Sequence, residues 1–478
     1  MKPVLLWTDL ALWLMAAAVL AYAWRVKHQP HLRGNWQRVL RDPVAACAGV
    51  VMGLFLLVTL VDSLHLRRAL PSSGGETVYD TRTVSLLDLL LARQIEMREV
   101  SYSLPLGTHG FNKESLIDPD GAVRRDFPRL QFGGAHLADP ATQWAGDVAG
   151  RAALGGALGL ALASLLGALT VALLARSHGG WRTALGDLLA DRTTYPLRAM
   201  LLTLTTVLLL AGPVAALMGH YHVFGTDRTG NDVLVQALKS IRTAFVIGAL
   251  STLATLPLAL LLGVLAGYYK GWVDEAIQYV YTTLSSVPNV LLIAACVLMV
   301  QVFLDKNPEL FETAVERSDL KMLMLCLILG LTGWAGLCRL VRAETLKLRE
   351  LDYVQAATAF GVGDVRIMAR HIVPNVMHLV LITVVLSFSE LILYEAVLTY
   401  IGVGVDPLMN SFGSMINLAR VEMSREPVVW WSFAAAFGFM VSLVLAANLF
   451  ADGVRDAFDP KARNSRPRIA PRRKAADA

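Results

Sequence analysis

Residues 351–375 read LDYVQAATAFGVGDVRIMARHIVPN. The stretch lies between two long apolar segments, yet it is amphipathic and carries Asp352, Asp364, Arg366, Arg370 and His371. Its pattern predicts two short helices joined by a glycine turn. The first ends in a small-residue patch (Ala356, Ala357, Ala359) and stops at Gly361, a residue suited to a left-handed C-terminal cap. Asp364 stands where an N-cap belongs, and Val365, Met368 and Ile372 then recur at helical spacing. Pro374 is tolerated in the first turn of the apolar helix that follows. On local pattern alone, an ordinary amphipathic hairpin between membrane helices fits equally well.

The surroundings are those of a membrane protein. Of 478 residues, 55% are hydrophobic and only 17% charged, against about 25% charged in soluble domains. The mean hydropathy is +0.52. Nine runs are long enough to cross the ~30 Å hydrocarbon core as helices: near residues 4–24, 43–62, 151–175, 198–219, 242–268, 276–303, 320–341, 375–401 and 429–451. The first resembles a signal peptide around Leu20-Ala-Tyr-Ala23, but its length, Asp9 within it and the basic segment behind it predict a retained span. Asp9 is expected near the interface, solvated. The four cysteines (Cys47, Cys296, Cys326, Cys338) sit in apolar runs without ligand-like spacing.

Lysine and arginine set the orientation. Arg25, Lys27, Arg33, Arg38 and Arg41 mark the first cytoplasmic loop, and Arg176, Arg182, Arg192 and Arg198 the second. Lys270 marks the third, Arg339, Arg342 and Lys347 the fourth, and the basic tail the last. This alternation gives an outer N-terminus and an inner C-terminus, and the net charge of +5 reflects these flanks rather than nucleic acid. Residues 63–150 become an extracytoplasmic insertion, with turn signals at 71–75 and 118–121 and a helix-like run over 86–98. His109, Glu114 and His136 are too scattered there to form a metal site. The tail beyond about residue 463 lacks apolar periodicity and is expected to be disordered.

The order Gln355-Ala-Ala, Gly361, His371-Ile-Val-Pro374-Asn resembles the cytoplasmic "EAA" coupling loop of ATP-binding-cassette (ABC) importer permeases, in its dipeptide/oligopeptide form. Four further segments resemble that family in the same order. His222-Val-Phe-Gly225-Thr226-Asp227 with Gly230-Asn231-Asp232 matches its GTD..GRD segment, with Asn231 where Arg is usual. Leu265-Ala-Gly-Tyr-Tyr-Lys-Gly-Trp-Val-Asp274 matches AGYYGGWVD, Glu395-Ala-Val-Leu-Thr-Tyr-Ile-Gly-Val-Gly404 matches EASLSFLGLG, and Asp452 to Pro460 matches DGLRDALDP. The resemblance covers a little over half the chain. It implies an all-α polytopic bundle of the type I importer permease fold. In that reading residues 220–460 form the core, joined by the span at 43–62, and 1–62, 63–150, 151–219 and 461–478 are the other segments.

What the resemblance implies for function is a permease subunit without catalytic residues. Gln355, Ala356, Ala357, Gly361, Asp364, Arg370, His371 and Pro374 would dock on an ATPase subunit. Gln355 replaces the family's usual Glu, removing a charge while keeping hydrogen-bonding capacity. Gly225, Thr226, Asp227, Gly230 and Asp232 would belong to the outer rim near a binding protein, feeding an amphipathic surface helix over 233–241. The implied partners are a second permease, two ATPases that hold the ATP and magnesium, an extracytoplasmic solute-binding protein, a peptide substrate and lipid. The implied location is the bacterial cytoplasmic membrane.

The residues themselves add that the chain contains no GxxxxGK[ST] phosphate loop. Glu390 and Glu395 lie within or at the outer end of the eighth span, where an acid usually faces a wet cavity or a partner. Glu395 reads as a structural hydrogen-bonding group, while Glu390 fits a pathway or a structural role equally. Gly248, Gly263, Gly267, Gly330 and Gly333 permit close helix approach. A secondary transporter driven by an ion gradient would need paired broken helices and inverted repeats, and a membrane enzyme would need a catalytic cluster at membrane depth. The sequence displays neither.

Overall fold

In a computed structural model, which describes residues 2–70, 78–117, 123–176, 180–311 and 313–458, the chain is dominated by helices. The turn signals at 71–75 and 118–121, the tail and the last residues of the closing Asp452–Pro460 motif lie outside the described residues. Strand β1 (Lys2–Val4) leads into α1 (Trp7–His28), α2 (Pro30–Arg41) and α3 (Pro43–Asp62). The insertion holds β2 (His65–Leu70), β3 (Val78–Ser85), α4 (Leu86–Leu90), α5 (Ala92–Glu96), β4 (Glu114–Ile117) and β5 (Val123–Asp126). Then come α6 (Pro140–Ala175), α7 (Trp181–Leu189), α8 (Leu197–Leu217), α9 (Val233–Tyr269), α10 (Gly271–Ser286), α11 (Asn289–Lys306) and α12 (Ala314–Arg349). The loop helices α13 (Asp352–Ala359) and α14 (Asp364–Ile367) precede α15 (Val373–Tyr400), α16 (Phe412–Glu422) and α17 (Trp431–Phe458).

Among the described residues, nine helical stretches are long and apolar enough to cross a membrane. Their bounds correct the sequence reading in three places. Residues 276–303 are not one span: Pro288 forces Val287 into extended backbone (φ −90°, ψ 133°), which ends α10 and leaves α11 as the crossing. The stretch 233–241 is not a separate surface helix but the start of α9, where Val233, Leu234, Val235, Ala237, Ser240 and Ile241 are buried. At 37 residues, α9 extends about 55 Å and projects past the bilayer core. Helix α6 already begins at Pro140, its Asp139 cap accepting from the Ala141 amide, so it consumes part of the predicted outer stretch.

The all-helical expectation omits two small sheets. In one, β1 pairs antiparallel with β2 (Lys2 opposite Arg67, Val4 opposite His65) and β2 pairs with β3 across a register shift between Arg67 and Ala69. In the other, β4 and β5 form a hairpin with Glu114 opposite Asp126. The N-terminal segment is thus part of the insertion's sheet.

The helices pack through two main cores. At the end of the bundle nearest the insertion, Ile241 and Phe245 of α9 meet Phe388 and Ile392 of α15, Phe412 of α16 and Trp431 and Leu443 of α17. At the other end of the bundle, Val264 and Tyr268 of α9 meet Trp334, Leu337 and Val341 of α12, and Val354, Ile367, Met368 and Ile372 of the loop. Helices α9 and α12 approach so closely that a β-carbon on Gly263, Gly267 or Gly330 would lie 2.5–2.8 Å from a side chain of the other helix. Gly248 meets Phe388 in the same way; Gly333 has open space around it and makes no such approach.

Candidate functional site

The loop between α12 and α15 is built as an anchored platform. Helix α13 ends in a Schellman turn: Gly361 N donates to Thr358 O at 3.0 Å, Val362 N donates to Ala357 O at 3.1 Å, and Gly361 holds φ +76°. The N-cap of α14 is Gly363, not Asp364 as the sequence pattern suggested. Asp364 is free for another task because the chain is already extended at Gly363. Its Oδ1 accepts a hydrogen bond from the Tyr268 hydroxyl at 2.9 Å, at the C-terminal end of α9. Met368–Ile372 then form one π-helical turn before α15, which carries Pro374 in its first turn.

Apolar side chains hold the platform down. Val354, Ile367 and Ile372 are essentially fully buried, and burial of each such side chain stabilises the docked loop by roughly 1.5–3 kcal/mol. Polar ties add to them: Arg349 donates to Tyr268 O at 2.5 Å, and Lys270 pairs with Glu350 at 2.7 Å. Asn375 donates to His371 O at 2.6 Å and to the Tyr353 hydroxyl at 3.2 Å. The opposite face is open. Gln355, Ala356, Gly361, Asp364, Arg370 and Pro374 are exposed, and Ala357 and His371 are half-buried. Gln355 donates to Glu350 O at 3.3 Å. Phe360 and Val365 flank the glycine turn at 87% and 74% exposure, two large apolar groups with nothing on them. Sequence reasoning passed over Phe360 and Tyr268. A lone aromatic beside a glycine cap, and a Tyr-Tyr pair ending a long helix, were the available signals.

The Gly225–Asp232 residues sit under the insertion rather than on a bare rim. Gly225, Thr226, Gly230 and Asp232 are buried, and Asp227 is half-buried. Thr226 accepts from the Ser103 amide at 2.7 Å and Trp431 donates to Thr226 O at 2.9 Å. Asp227 accepts from the Thr229 and Asn231 amides, closing the turn. A β-carbon on Gly225 or Gly230 would strike Ser103 O or Glu99 O, and both glycines hold positive φ. Asp232 caps α9 through Leu234 N at 2.9 Å and Val235 N at 3.2 Å, while its other oxygen meets His222 Nδ1 at 2.8 Å and Gln94 at 3.0 Å.

Glu99 accepts from the Gln131, Phe132 and Gly133 amides. His222 Nε2 lies 3.5 Å from Glu99, close enough for an ion pair but outside hydrogen-bond geometry. Burial opposes charge on both groups. For His222, Asp232 and then Glu99 outweigh it and raise the imidazole to about 9. For Glu99, His222 and the three amides outweigh it and hold the carboxyl at about 2. The raised histidine stabilises the fold fully below its unfolded value of 6.5, and that contribution is lost as pH rises through about 9. The depressed Glu99 contributes above 4.5 and is lost as pH falls through about 2. The melting temperature of the purified chain should therefore fall between neutral pH and about pH 10, and His222→Gln should flatten most of that slope. Equal slopes in both proteins would remove His222 as the titrating group.

The two intramembrane acids separate. Glu395 is fully buried; its Oε1 accepts from Thr399 at 2.8 Å and its Oε2 has no partner among the described residues. Glu390, one turn away, lies on the outside of the bundle. Asp9 is buried, not solvated: it pairs with Arg242 of α9 and His65 of β2. Among the described residues no group of His, Cys, Asp or Glu is arranged to hold a metal ion. His136 instead pairs with Asp147 at 2.8 Å.

Residues 259–464 match the family model described as "Binding-protein-dependent transport system inner membrane component". The chain is 31% identical to the oligopeptide transport system permease protein OppC of Mycobacterium tuberculosis over 248 residues, 52% of this chain and 79% of the relative. It is 30% identical to OppC of Haemophilus influenzae over 249 residues, 52% of this chain and 73% of that relative. With the glutathione transport system permease protein GsiD of Pectobacterium atrosepticum it shares 32% identity over 241 residues, 50% of this chain and 73% of that relative.

Proposed function

Because the chain belongs to the family of binding-protein-dependent transport system inner membrane components, of the type I importer permease fold in the bacterial inner membrane, we propose that it passes peptides or peptide-like compounds through an ATP-driven importer. The observation that carries this reading is the platform at 351–375. It is anchored by Val354, Ile367 and Ile372 and presents Phe360, Gly361 and Val365 as an exposed apolar surface. That arrangement suits a rigid knob entering a cleft on an ATPase subunit, with one aromatic anchor at its centre. The chain itself holds no cofactor and catalyses no reaction; ATP and magnesium belong to the two ATPase subunits. A second permease completes the passage, and an extracytoplasmic binding protein delivers the peptide to the side on which the insertion lies. The names of the relatives, oligopeptide and glutathione permease proteins, support the substrate class.

Deleting the chain from its host and measuring uptake of a panel of labelled di- and oligopeptides tests the substrate. Co-purification with an ATP-hydrolysing subunit tests the coupling. Uptake that continues without that subunit and collapses with the ion gradient would place the chain among secondary transporters instead.

Glu390 gives a narrower test. A carboxylate on the lipid face costs about 2.5–3.5 kcal/mol, so its position on the outside of this single chain suits a wet passage shared with the second permease. Glu390→Leu should insert normally and lower uptake about tenfold, the factor that ~1.4 kcal/mol represents. Wild-type uptake at normal abundance would remove Glu390 from the pathway.

A further inference from the structure

Arg242 lies nine residues into α9 and is only 5% exposed. A guanidinium at such depth needs counter-charges close by. The nearer of them, Asp9, comes from outside the segment matched by the family model, residues 259–464. Arg242 Nη2 is 2.5 Å from Asp9 Oδ1 and donates to Thr8 Oγ1 at 3.1 Å. It is also 3.9 Å from Asp319 on α12. Asp319 is in turn held by the first turn of α1, its Oδ2 accepting from the Thr8 amide at 2.9 Å and its Oδ1 from the Thr8 hydroxyl. The second oxygen of Asp9 meets His65 Nδ1 of β2 at 2.7 Å. Arg67, on the same strand, pairs with Glu316 in the first turn of α12 at 3.1 Å.

Two residues therefore join three bodies: the insertion's sheet, α9 and α12. The same segment is stitched to the sheet through β1 and to the core through Leu12, which packs with Ile247 and Leu250 of α9 and Met322 and Leu325 of α12. We propose that Thr8 and Asp9 are positioning residues for transport, forming an N-terminal strap that sets the spacing of the outer ends of α9 and α12 against the insertion. The outer ends separate only when these charge-assisted bonds open. The proposal rests on the permease reading for its consequence in transport, but not for the geometry it asserts.

The test uses the full-length chain with its four native cysteines replaced and spin labels at Thr229 and Val315, which are exposed beside the starts of α9 and α12. Pulsed electron-spin measurement of the purified chain should give one narrow distance distribution. Asp9→Asn preserves shape and leaves Arg242 with Asp319, so the chain should still accumulate in the membrane while the distribution broadens. ATP-driven uptake in the assembled transporter should fall about fivefold, the change that ~1 kcal/mol represents, and Asp9→Glu, which keeps the charge, should recover part of both. Should Asp9→Asn fail to accumulate, Thr8→Val removes the hydroxyl link without unpairing any charge and should broaden the same distribution. An unchanged distribution in the variant that accumulates overturns the strap. A broadened one in a chain that never drives peptide uptake leaves the strap standing and overturns the peptide-import reading instead.

Discussion

Gly361→Val is expected to insert in the membrane at wild-type abundance and to lose most peptide uptake. The turn holds φ +76° in a Schellman cap, a conformation that costs an L-residue roughly 1–2 kcal/mol and a β-branched residue more. The added side chain meets nothing within this chain, since open space surrounds the Gly361 β-carbon position. The cost is therefore backbone strain, relieved by turning Phe360 and Val365 away from their present positions, and bulk added to the presented surface. A penalty of ~1–2 kcal/mol lowers the population of the docking geometry roughly five- to thirtyfold. Insertion should be spared because Gly361 itself lies outside the apolar spans. Asn tolerates left-handed backbone better than Ala or Val, so uptake and ATPase pull-down should decline in the order Gly, Asn, Ala, Val. Wild-type docking and uptake in an abundant Gly361→Val chain would mean that this surface is not where the ATPase binds.

The second large effect is expected at Tyr268, where the loop grips the C-terminal end of α9. Tyr268→Phe removes the donor to Asp364 while keeping the ring packed against Arg349, whose guanidinium lies 5.7 Å from the ring centroid. A hydrogen bond to a charged group contributes about 1.5–3 kcal/mol, and Asp364 is exposed, so water reduces this to about 1 kcal/mol. The ATPase should still dock, because the apolar anchors Val354, Ile367 and Ile372 are untouched. The motion transmitted to α9 should slacken, however. Peptide moved per ATP hydrolysed in proteoliposomes should fall about fivefold. Asp364→Asn retains an acceptor and should behave almost as wild type; Asp364→Leu should match Tyr268→Phe. The double variant Tyr268→Phe/Asp364→Leu should be no worse than either single change, as for two residues sharing one interaction. Additive losses would show that the two side chains act separately.

The nine apolar helices found among the described residues and the helix–turn–helix between α12 and α15 were legible in the sequence because they depend on local quantities. A run of about 20 apolar residues must leave water wherever it occurs, basic loops orient it, and a small-residue patch followed by Gly361 and Pro374 dictates a helix stop and restart within a few residues. The errors arose where neighbours override local pattern. Residues 233–241 look amphipathic alone, but become the buried start of α9 once Tyr102, Phe412 and Trp431 cover them. Asp364 resembles an N-cap, but Gly363 already supplies the extended cap geometry, and Tyr268, 96 positions earlier, provides the partner. Asp9 looks like a solvated interfacial acid until His65, 56 residues away, and Arg242, 233 residues away, close around it. Pairings of that separation leave no periodic trace, because a charge buried by its counter-charge and a charge bathed in water are written with the same residue. Hydropathy and chain punctuation determine which segments cross the membrane and where they turn. Which polar groups inside are partners, and so which helices are tied together, is decided only when the chain is packed.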